Sequence, residues 1–246
     1  MAFTQNNLKT DLVQKIKLND DNLVQIDNFN NLYFIGENAV VKRTNTSEFI
    51  YNNMQLGDIS SLNVFNPLKI NLFYENFSTV LILDNRLSEV KKINFNTLTP
   101  FRNISHVSTG HDNTIWVFNQ NSQQLELFDY RTNTTRVKTF PIKGNVIQIT
   151  SNYNNCWVLT DSYIYQYNYF GSLISKLKNN AFESLVELNE NLYLLKENTL
   201  YFKSKNSIEI NAILLPKLLI NRFFVTNESL YIYDDEFLHQ YQLINE

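Results

Sequence analysis

The side chains best suited to bind a metal ion are His106 and His111, which flank the start of a short hairpin beside Asp112. Imidazole nitrogen and carboxylate oxygen are common zinc ligands, but a site needs at least three of them in suitable geometry. The chain has only three histidines, and His239 lies far along the sequence. We therefore interpret His111-Asp112 as a polar turn and predict neither a metal site nor a bound cofactor.

The single cysteine, Cys156, precedes Trp157 in an apolar run, "CWVLT". A nucleophilic thiol needs a neighbouring base and a lowered pKa, and the surrounding sequence supplies neither. A buried structural thiol is the usual outcome for such a position. The chain also has no GxSxG, P-loop or GxGxxG motif, so we predict no catalytic residue.

A repeated hairpin positions these side chains. The matching strand residue of each copy is found at Tyr33, Leu72, Trp116, Trp157, Tyr193 and Tyr231. The spacings are 39, 44, 41, 36 and 38 residues, which is the length of one propeller blade. Period-2 patterning within each copy indicates strands rather than helices.

Each copy contains four apolar runs, except the last, which runs out of chain. The missing run occurs near the N-terminus as "LVQKIKL" (12–18). A four-stranded sheet cannot bury both faces alone, so neighbouring sheets must stack around an axis. The sequence predicts an all-β, six-bladed β-propeller of four-stranded antiparallel blades, with the last blade closed by 12–18. We expect one domain over 1–246, with blades at 22–54, 59–95, 103–141, 145–178, 182–213 and 220–243 plus 12–18.

Composition limits the partners. The net charge of −3 and the pI of about 5.7 provide no basic field for phosphates, which disfavours nucleic acid. No apolar run approaches the ~18 residues of a membrane helix. The start, "MAFTQNNLKT", shows no signal peptide. We expect a periplasmic or cell-envelope protein if a signal peptide has been trimmed, and a cytoplasmic protein otherwise.

The hairpin "DNTIWVFNQNSQQLELFD" (112–129) resembles the repeating unit of NHL-type six-bladed propellers. The chain is also similar to propeller proteins of flavobacterial type, notably over 66–89 and 223–243. Many of those proteins carry a secretion signal, so the resemblance implies the propeller fold and an envelope location. It implies no reaction.

Charge placement suggests a binding face. Turns between the second and third strands carry acidic residues at Glu37, Glu75, Asp161, Glu197 and Asp234-Asp235-Glu236. Turns between the third and fourth strands, on the opposite face, carry basic residues at Arg43, Arg86, Arg131, Lys203 and Lys205. The hypothesis is that the acidic face docks a basic partner. The alternative is that hairpin tips are simply polar.

The longest connection between blades, "NFNTLTPFRN" (94–103), is expected on the acidic face. Aromatic and arginine side chains dominate protein interfaces, so Phe101 and Arg102 form a candidate anchor pair. The alternative is that Phe101 packs into the blade below. The predicted partner-binding residues are Phe101, Arg102, Asp161, Asp234, Asp235 and Glu236.

The resulting prediction is a non-catalytic binding or scaffold protein, part of a bacterial cell-envelope assembly, which binds a protein partner through loops on one face. The alternative is a metal-dependent hydrolase or lyase with a site in the central channel. Binding of a small molecule in the channel also remains open. Several inner-strand carboxylates converging on the axis would favour an enzyme, whereas an apolar channel would favour a scaffold.

Overall fold

The computed structural model describes residues 8–18, 22–227 and 229–244, which form six four-stranded antiparallel sheets. The closing strand is β1 (Lys9–Lys17). Blade 1 contains β2 (Leu23–Ile26), β3 (Leu32–Gly36), β4 (Ala39–Arg43) and β5 (Glu48–Asn52). Blade 2 contains β6 (Ser61–Asn63), β7 (Ile70–Tyr74), β8 (Thr79–Leu83) and β9 (Glu89–Asn94). Blade 3 contains β10 (Ile104–Thr109), β11 (Thr114–Asn119), β12 (Gln124–Asp129) and β13 (Thr134–Lys138).

The second half of the ring repeats this order. Blade 4 contains β14 (Val146–Ser151), β15 (Asn155–Thr160), β16 (Tyr163–Asn168) and β17 (Leu173–Lys178). Blade 5 contains β18 (Ser184–Leu188), β19 (Asn191–Lys196), β20 (Thr199–Lys203) and β21 (Asn211–Ala212). Blade 6 contains β22 (Arg222–Thr226), β23 (Ser229–Tyr233) and β24 (Phe237–Ile244), with β1 as its outer strand. The predicted six-bladed propeller is confirmed.

Two single-turn 3-10 helices, η1 (Glu75–Phe77) and η2 (Phe95–Thr97), are the helices of the described chain. Neither could span a bilayer. Both lie in blade 2 or at its exit, and the side-chain amide of Asn96 donates to the carbonyl of Phe77 over 2.9 Å. This contact joins the two turns into one loop region.

The second strand of each blade is buried more completely than the outer strand. Every residue of β7, β11 and β15 is buried, whereas the outer strands consist mostly of exposed and half-buried residues. Trp116 packs with Cys156 and Val158 of the next blade, and Trp157 packs in turn against blade 5. The aromatic residue of the repeat therefore fills the wedge between blades, where its large apolar area contributes most.

The ring is closed by β1, which pairs antiparallel with β24 over eight residue pairs from Lys9–Ile244 to Lys17–Phe237. The strand begins at Lys9 rather than at Leu12 as predicted. A register shift between Leu12 and Gln14 marks a bulge in this outer strand. The pairing covers the edge of β24, which would otherwise present unpaired backbone groups.

Asparagine and aspartate side chains form many of the tight turns. The Asp27 carboxylate accepts from the amides of Phe29 and Asn31, and Asn168 makes the same contacts to Phe170 and Ser172. Left-handed backbone occurs at Asn30, Asn38, Asn133 and Asn189. These residue types tolerate positive φ and cap their own turns, as predicted for a chain with five glycines.

The outer strand of blade 5 is shorter than the predicted run "SIEINAI" (207–213). Only Asn211 and Ala212 pair with β20, because a turn capped by hydroxyl groups occupies the preceding residues. The Ser207 hydroxyl accepts from the amide of Glu209 over 3.0 Å. Ser and Thr hydroxyls compete with strand pairing in this way.

Deleting residues 1–17 should lower the free energy of unfolding by several kcal/mol, because each lost backbone hydrogen bond is worth about 0.5–1.5 kcal/mol. The exposed edge of β24 should also promote self-association. Urea unfolding and light scattering after size exclusion measure the two effects. A chain lacking only residues 1–7 is the control, since it keeps β1. An unchanged unfolding midpoint in the longer deletion would contradict the role given to β1.

Candidate functional site

Antiparallel strands divide the loops of the ring between two faces. We call one the connector face; it is formed by the inter-blade connections and by the turns between second and third strands, such as 75–78, 161–162 and 234–236. The other, the turn face, carries the turns that follow the innermost strands, such as 27–31 and 152–154. The acidic turns and the loop 94–103 lie on the connector face, as the topology predicts.

The three histidines do not converge. His106 lies half-buried in β10, where Nδ1 contacts the Ser105 hydroxyl at 2.8 Å and Nε2 contacts the Ile147 carbonyl at 3.2 Å. His111 lies on the turn face and contacts the Asp112 carboxylate at 3.0 Å. In the ranges described, no group of three or more His, Cys, Asp or Glu side chains is placed to hold a metal ion.

Asp112 has a φ of 55° and forms the turn between β10 and β11. The interpretation of His111-Asp112 as a turn is therefore confirmed. Cys156 is fully buried, and burial raises the pKa of its thiol well above the usual value. This is the environment of a packing residue rather than of an activated thiol.

Phe101 and Arg102 separate in the structure. The Phe101 side chain is 56% exposed, so more than half of its surface faces solvent. Arg102 is 3% exposed, and its guanidinium donates to Glu126 over 3.0 Å, to the Pro100 carbonyl over 2.9 Å and to the Thr135 hydroxyl over 3.0 Å. Arg102 therefore fixes the loop on blade 3, while Phe101 is presented to solvent.

The buried pair is fully hydrogen-bonded. Glu126 accepts also from Asn119 over 2.9 Å and from Thr135 over 2.7 Å. Burial raises the pKa of Glu126, but the hydrogen bonds from Asn119, Thr135 and Arg102 outweigh it and hold the pKa below its usual value. A buried carboxylate is tolerated here because every charge has a partner.

The carboxylates of the turn 234–236 differ in their hydrogen bonding and exposure. The Asp234 carboxylate accepts from the amides of Glu236 and Phe237 and contacts His239 at 2.8 Å. Burial alone would raise the pKa of Asp234. The hydrogen bonds from His239 and from the turn amides have the larger effect, so the pKa lies below its usual value. Asp235 and Glu236 are exposed, and Glu236 forms an ion pair with the exposed Lys17 at 3.2 Å. Asp234 thus shapes the turn that exposes the next two carboxylates.

Asp161 is exposed and accepts from the Ser162 hydroxyl over 2.7 Å and from Asn145 over 3.0 Å. The hydrogen bond from Ser162 has the largest effect on the pKa of the Asp161 carboxyl and lowers it, and the hydrogen bonds from Asn145 lower it as well. The side chain therefore stays ionised on the connector face.

Exposed apolar side chains accompany these carboxylates. The connector face presents Met54, Phe77, Phe101, Phe140, Leu214 and Leu219, each at least 45% exposed. All of them lie on inter-blade connections or on η1. Apolar and acidic groups thus occur together on the connector face, while the turn face also exposes Phe29, Leu68 and Phe170.

The central channel opens on the turn face into a cavity of about 340 Å³. A second cavity of about 200 Å³ continues towards the connector face and shares Gln25, Gln148 and Val186 with the first. The polar lining side chains come from the inner strands and their turns: Gln25, Asp27, Asn28, Asn63, Gln148, Thr150, Ser151, Asn152, Glu187, Asn189 and Asn227. Apolar side chains such as Val64, Leu185 and Val225 lie between these groups, so the channel lining is mixed, with amides as its commonest polar groups.

Some of these polar groups join the blades. Asn63 donates to Ser108 over 3.2 Å, and Ser108 contacts Ser151 at 2.7 Å. Asn152 donates to the Glu187 carboxylate over 2.9 Å. These contacts connect blades 2 to 5 around the channel, so the inner strands form a hydrogen-bonded seam.

Two buried carboxylates line this part of the channel: Asp27 is 2% exposed and accepts from its own turn and from the Tyr33 hydroxyl, and Glu187 is 9% exposed. Among the described residues, the hydrogen bonds of Glu187 leave one of its oxygens available. The other, Oε1, accepts from Asn152 and from the amide of Glu190 over 2.7 Å. Burial raises its pKa, and these two hydrogen bonds only partly offset that effect. The enzyme alternative predicts several converging carboxylates, and the scaffold prediction calls for an apolar channel. The observed lining contains two carboxylates among amides and apolar side chains, so it matches neither, and both stay predictions.

The sequence reasoning did not select the channel residues. Gln25, Thr150 and Glu187 lie in runs that the sequence predicts as inner strands. Polar and apolar residues do not alternate along the whole of these runs, so the pattern does not show which side chains face the channel. The position opposite the repeat residue of the second strand is polar in blades 1, 3 and 4, as Gln25, Ser108 and Thr150, but apolar in the other three blades, so no regular signal was present.

Replacing Arg102 with Ala should destabilise the protein by about 3–5 kcal/mol, because Glu126 would remain buried without its partner. Arg43→Ala is the matched control, since Arg43 contacts Glu48 in a pair whose side chains are 40% and 45% exposed. Such surface pairs contribute less than about 1 kcal/mol. Urea unfolding measures both changes. Equal losses in the two variants would contradict the structural role of Arg102.

Stability should also fall as the pH drops through the titration of His106. Burial lowers the pKa of His106 below its ordinary 6.5, so the unfolded chain binds a proton at a pH where the folded chain does not. The free energy of unfolding should therefore decrease between about pH 7 and about pH 5. The variant His106→Gln should show a shallower decrease, and parallel pH profiles for both proteins would refute this assignment.

No protein-family model matches the sequence, and no curated protein matches it significantly. Solved structures are similar in fold. Virginiamycin B lyase from Staphylococcus aureus aligns at 12% identity with a TM-score of 0.63, over 97% of this chain and 100% of that chain. A chain of the mitotic checkpoint complex aligns at 12% identity with a TM-score of 0.63, over 98% and 94%. BamB from Moraxella catarrhalis aligns at 10% identity with a TM-score of 0.55, over 95% and 99%. At these identities the likeness shows the β-propeller fold and no activity.

Proposed function

We propose that this protein is a non-catalytic binding module whose connector face docks a protein partner with a basic surface. The observation that carries the proposal is the combination of exposed apolar side chains and exposed carboxylates on that face. Interfaces combine apolar anchors with a polar rim in this way. A chain of the mitotic checkpoint complex shares the fold and lends support by analogy alone.

Phe101 is the proposed anchor. Its ring is exposed, while Arg102 beside it is held by Glu126, Pro100 and Thr135. A rigid aromatic side chain loses little conformational freedom when it enters a pocket on the partner. Arg102 thus supports the contact from beneath without meeting the partner.

The acidic turns orient the partner protein and raise the rate at which it associates. Asp161, Asp235 and Glu236 are exposed carboxylates on the same face, and Asp234 holds the turn that presents two of them. Complementary charge steers encounter and fixes register, and its effect declines as salt is added. The partner should therefore present lysine or arginine around an apolar pocket.

We further infer that the partner belongs to a bacterial cell-envelope assembly. The support is the resemblance to NHL-type units and to flavobacterial-type propellers, many of which carry a secretion signal. Fractionation of the native cells tests the location, and recovery of the protein only from the cytosol would contradict it.

Affinity capture with the tagged full chain tests the binding face. The double variant Asp235→Lys/Glu236→Lys leaves Asp234 and its turn contacts in place, and Phe101→Ala removes the anchor. Each should reduce recovery of the partner about tenfold, as expected for loss of an interface hot spot. Recovery by the wild-type chain should also fall as salt is raised.

Arg86→Glu is the matched control, because Arg86 is an exposed charge in a turn on the opposite face. It should capture the partner as well as the wild type. The choice of face would be overturned if both connector-face variants recovered the partner as well as the wild type and Arg86→Glu did not.

A further inference from the structure

We propose that the channel mouth on the turn face binds a neutral sugar ring. The site is the cavity of about 340 Å³ lined by Gln25, Thr150, Glu187, Asn189 and Asn227, with Phe65 and Tyr153 at its rim. This volume falls at the lower end of the range for small-molecule sites. The proposal is independent of the protein-binding face, so either can fail alone.

The cavity offers polar groups that the fold does not use. Asn63, Gln148 and Asn152 are committed to the seam between blades. In the described part of the chain, the side chains of Gln25 and Thr150 make no hydrogen bond, nor do those of Asn189 and Asn227, although all four line the cavity. Oε2 of the buried Glu187 is likewise without a hydrogen-bond partner among the described residues.

The donors and acceptors of these groups determine which class of ligand fits the cavity. A side-chain amide donates and accepts at once, as does a hydroxyl, so each matches a sugar hydroxyl that also does both. No lysine or arginine lines the described cavity, so an anionic ligand would enter without a counter-charge. A calcium ion takes six to eight oxygen ligands with acidic groups among them. Both oxygens of Asp27 accept hydrogen bonds from its own turn and from Tyr33, which leaves Oε2 of Glu187 as the one carboxylate oxygen of the described lining without a partner.

The rim adds an apolar surface. The rings of Phe65 and Tyr153 meet edge to face with centroids 5.0 Å apart, and His111 packs against Tyr153 at 6.0 Å. Phe65 lines the cavity, while the Tyr153 side chain is 41% exposed. The negative face of an aromatic ring attracts partially positive C–H groups, which a sugar ring presents on one side.

Saturation-transfer NMR on the full chain tests the site with glucose, galactose, mannose, N-acetylglucosamine and maltose at millimolar concentrations. At least one sugar should give a signal. The variants Gln25→Ala, Thr150→Val and Tyr153→Ala should each weaken that sugar about tenfold, as expected when one partner of a binding group is lost. Since none of the three makes a side-chain hydrogen bond in the described fold, the variants should remain folded.

Methyl glycosides distinguish the source of the ring. Equal binding of the methyl glycoside identifies a terminal residue of a glycan, and loss of binding identifies a free reducing sugar; either result supports the proposal. Gln55→Ala and Phe140→Ala, two exposed connector-face residues, are the matched controls and should bind like the wild type.

Three results would overturn the proposal. The first is no saturation transfer from any sugar of the panel. The second is binding that the three channel variants leave unchanged. The third is a site that takes inorganic phosphate or calcium chloride but no sugar.

Discussion

Ring closure is the constraint on which both faces depend. The start and the end of the chain meet in blade 6, where β1 pairs with β24, and blade 6 packs on blade 1 through a shared apolar cluster. The ladder between β1 and β24 covers a strand edge, and the cluster holds the sixth sheet beside the first. The ring then sets the width of the channel, and the alternation of strand directions sends the connections to one face and the inner turns to the other. Loops on such a scaffold can differ freely while their positions stay fixed.

Two buried polar arrangements hold the ring locally. The Arg102–Glu126 pair anchors the long connection over blade 3, with every charged group hydrogen-bonded. The seam through Ser108 and Ser151 joins inner strands around the channel. Polar networks of this kind specify geometry because a displaced member would lose its partner in a site of low dielectric. One network therefore serves the connector face, and the other serves the channel wall.

The sequence predicted the architecture because the repeat is a local pattern with a period of one blade. Trp116 and Trp157 identified the second strands, and the run 12–18 identified the closing strand. The side-chain roles were less accessible: Phe101 and Arg102 are adjacent, yet one is exposed and the other buried, since only the tertiary position of Glu126 decides the outcome. Gln25 and Glu187 were missed because facing the channel depends on strand orientation around the axis, which a single sequence does not encode locally.

Hydrogen–deuterium exchange of the complex with the captured partner tests the central claim most directly, namely that a protein partner occupies the connector face. The account predicts slower exchange in peptides covering 95–103 and 234–237 on binding, with unchanged exchange in 27–31 and 152–155. Protection confined to 27–31 and 152–155 would place the partner over the channel mouth and contradict the account.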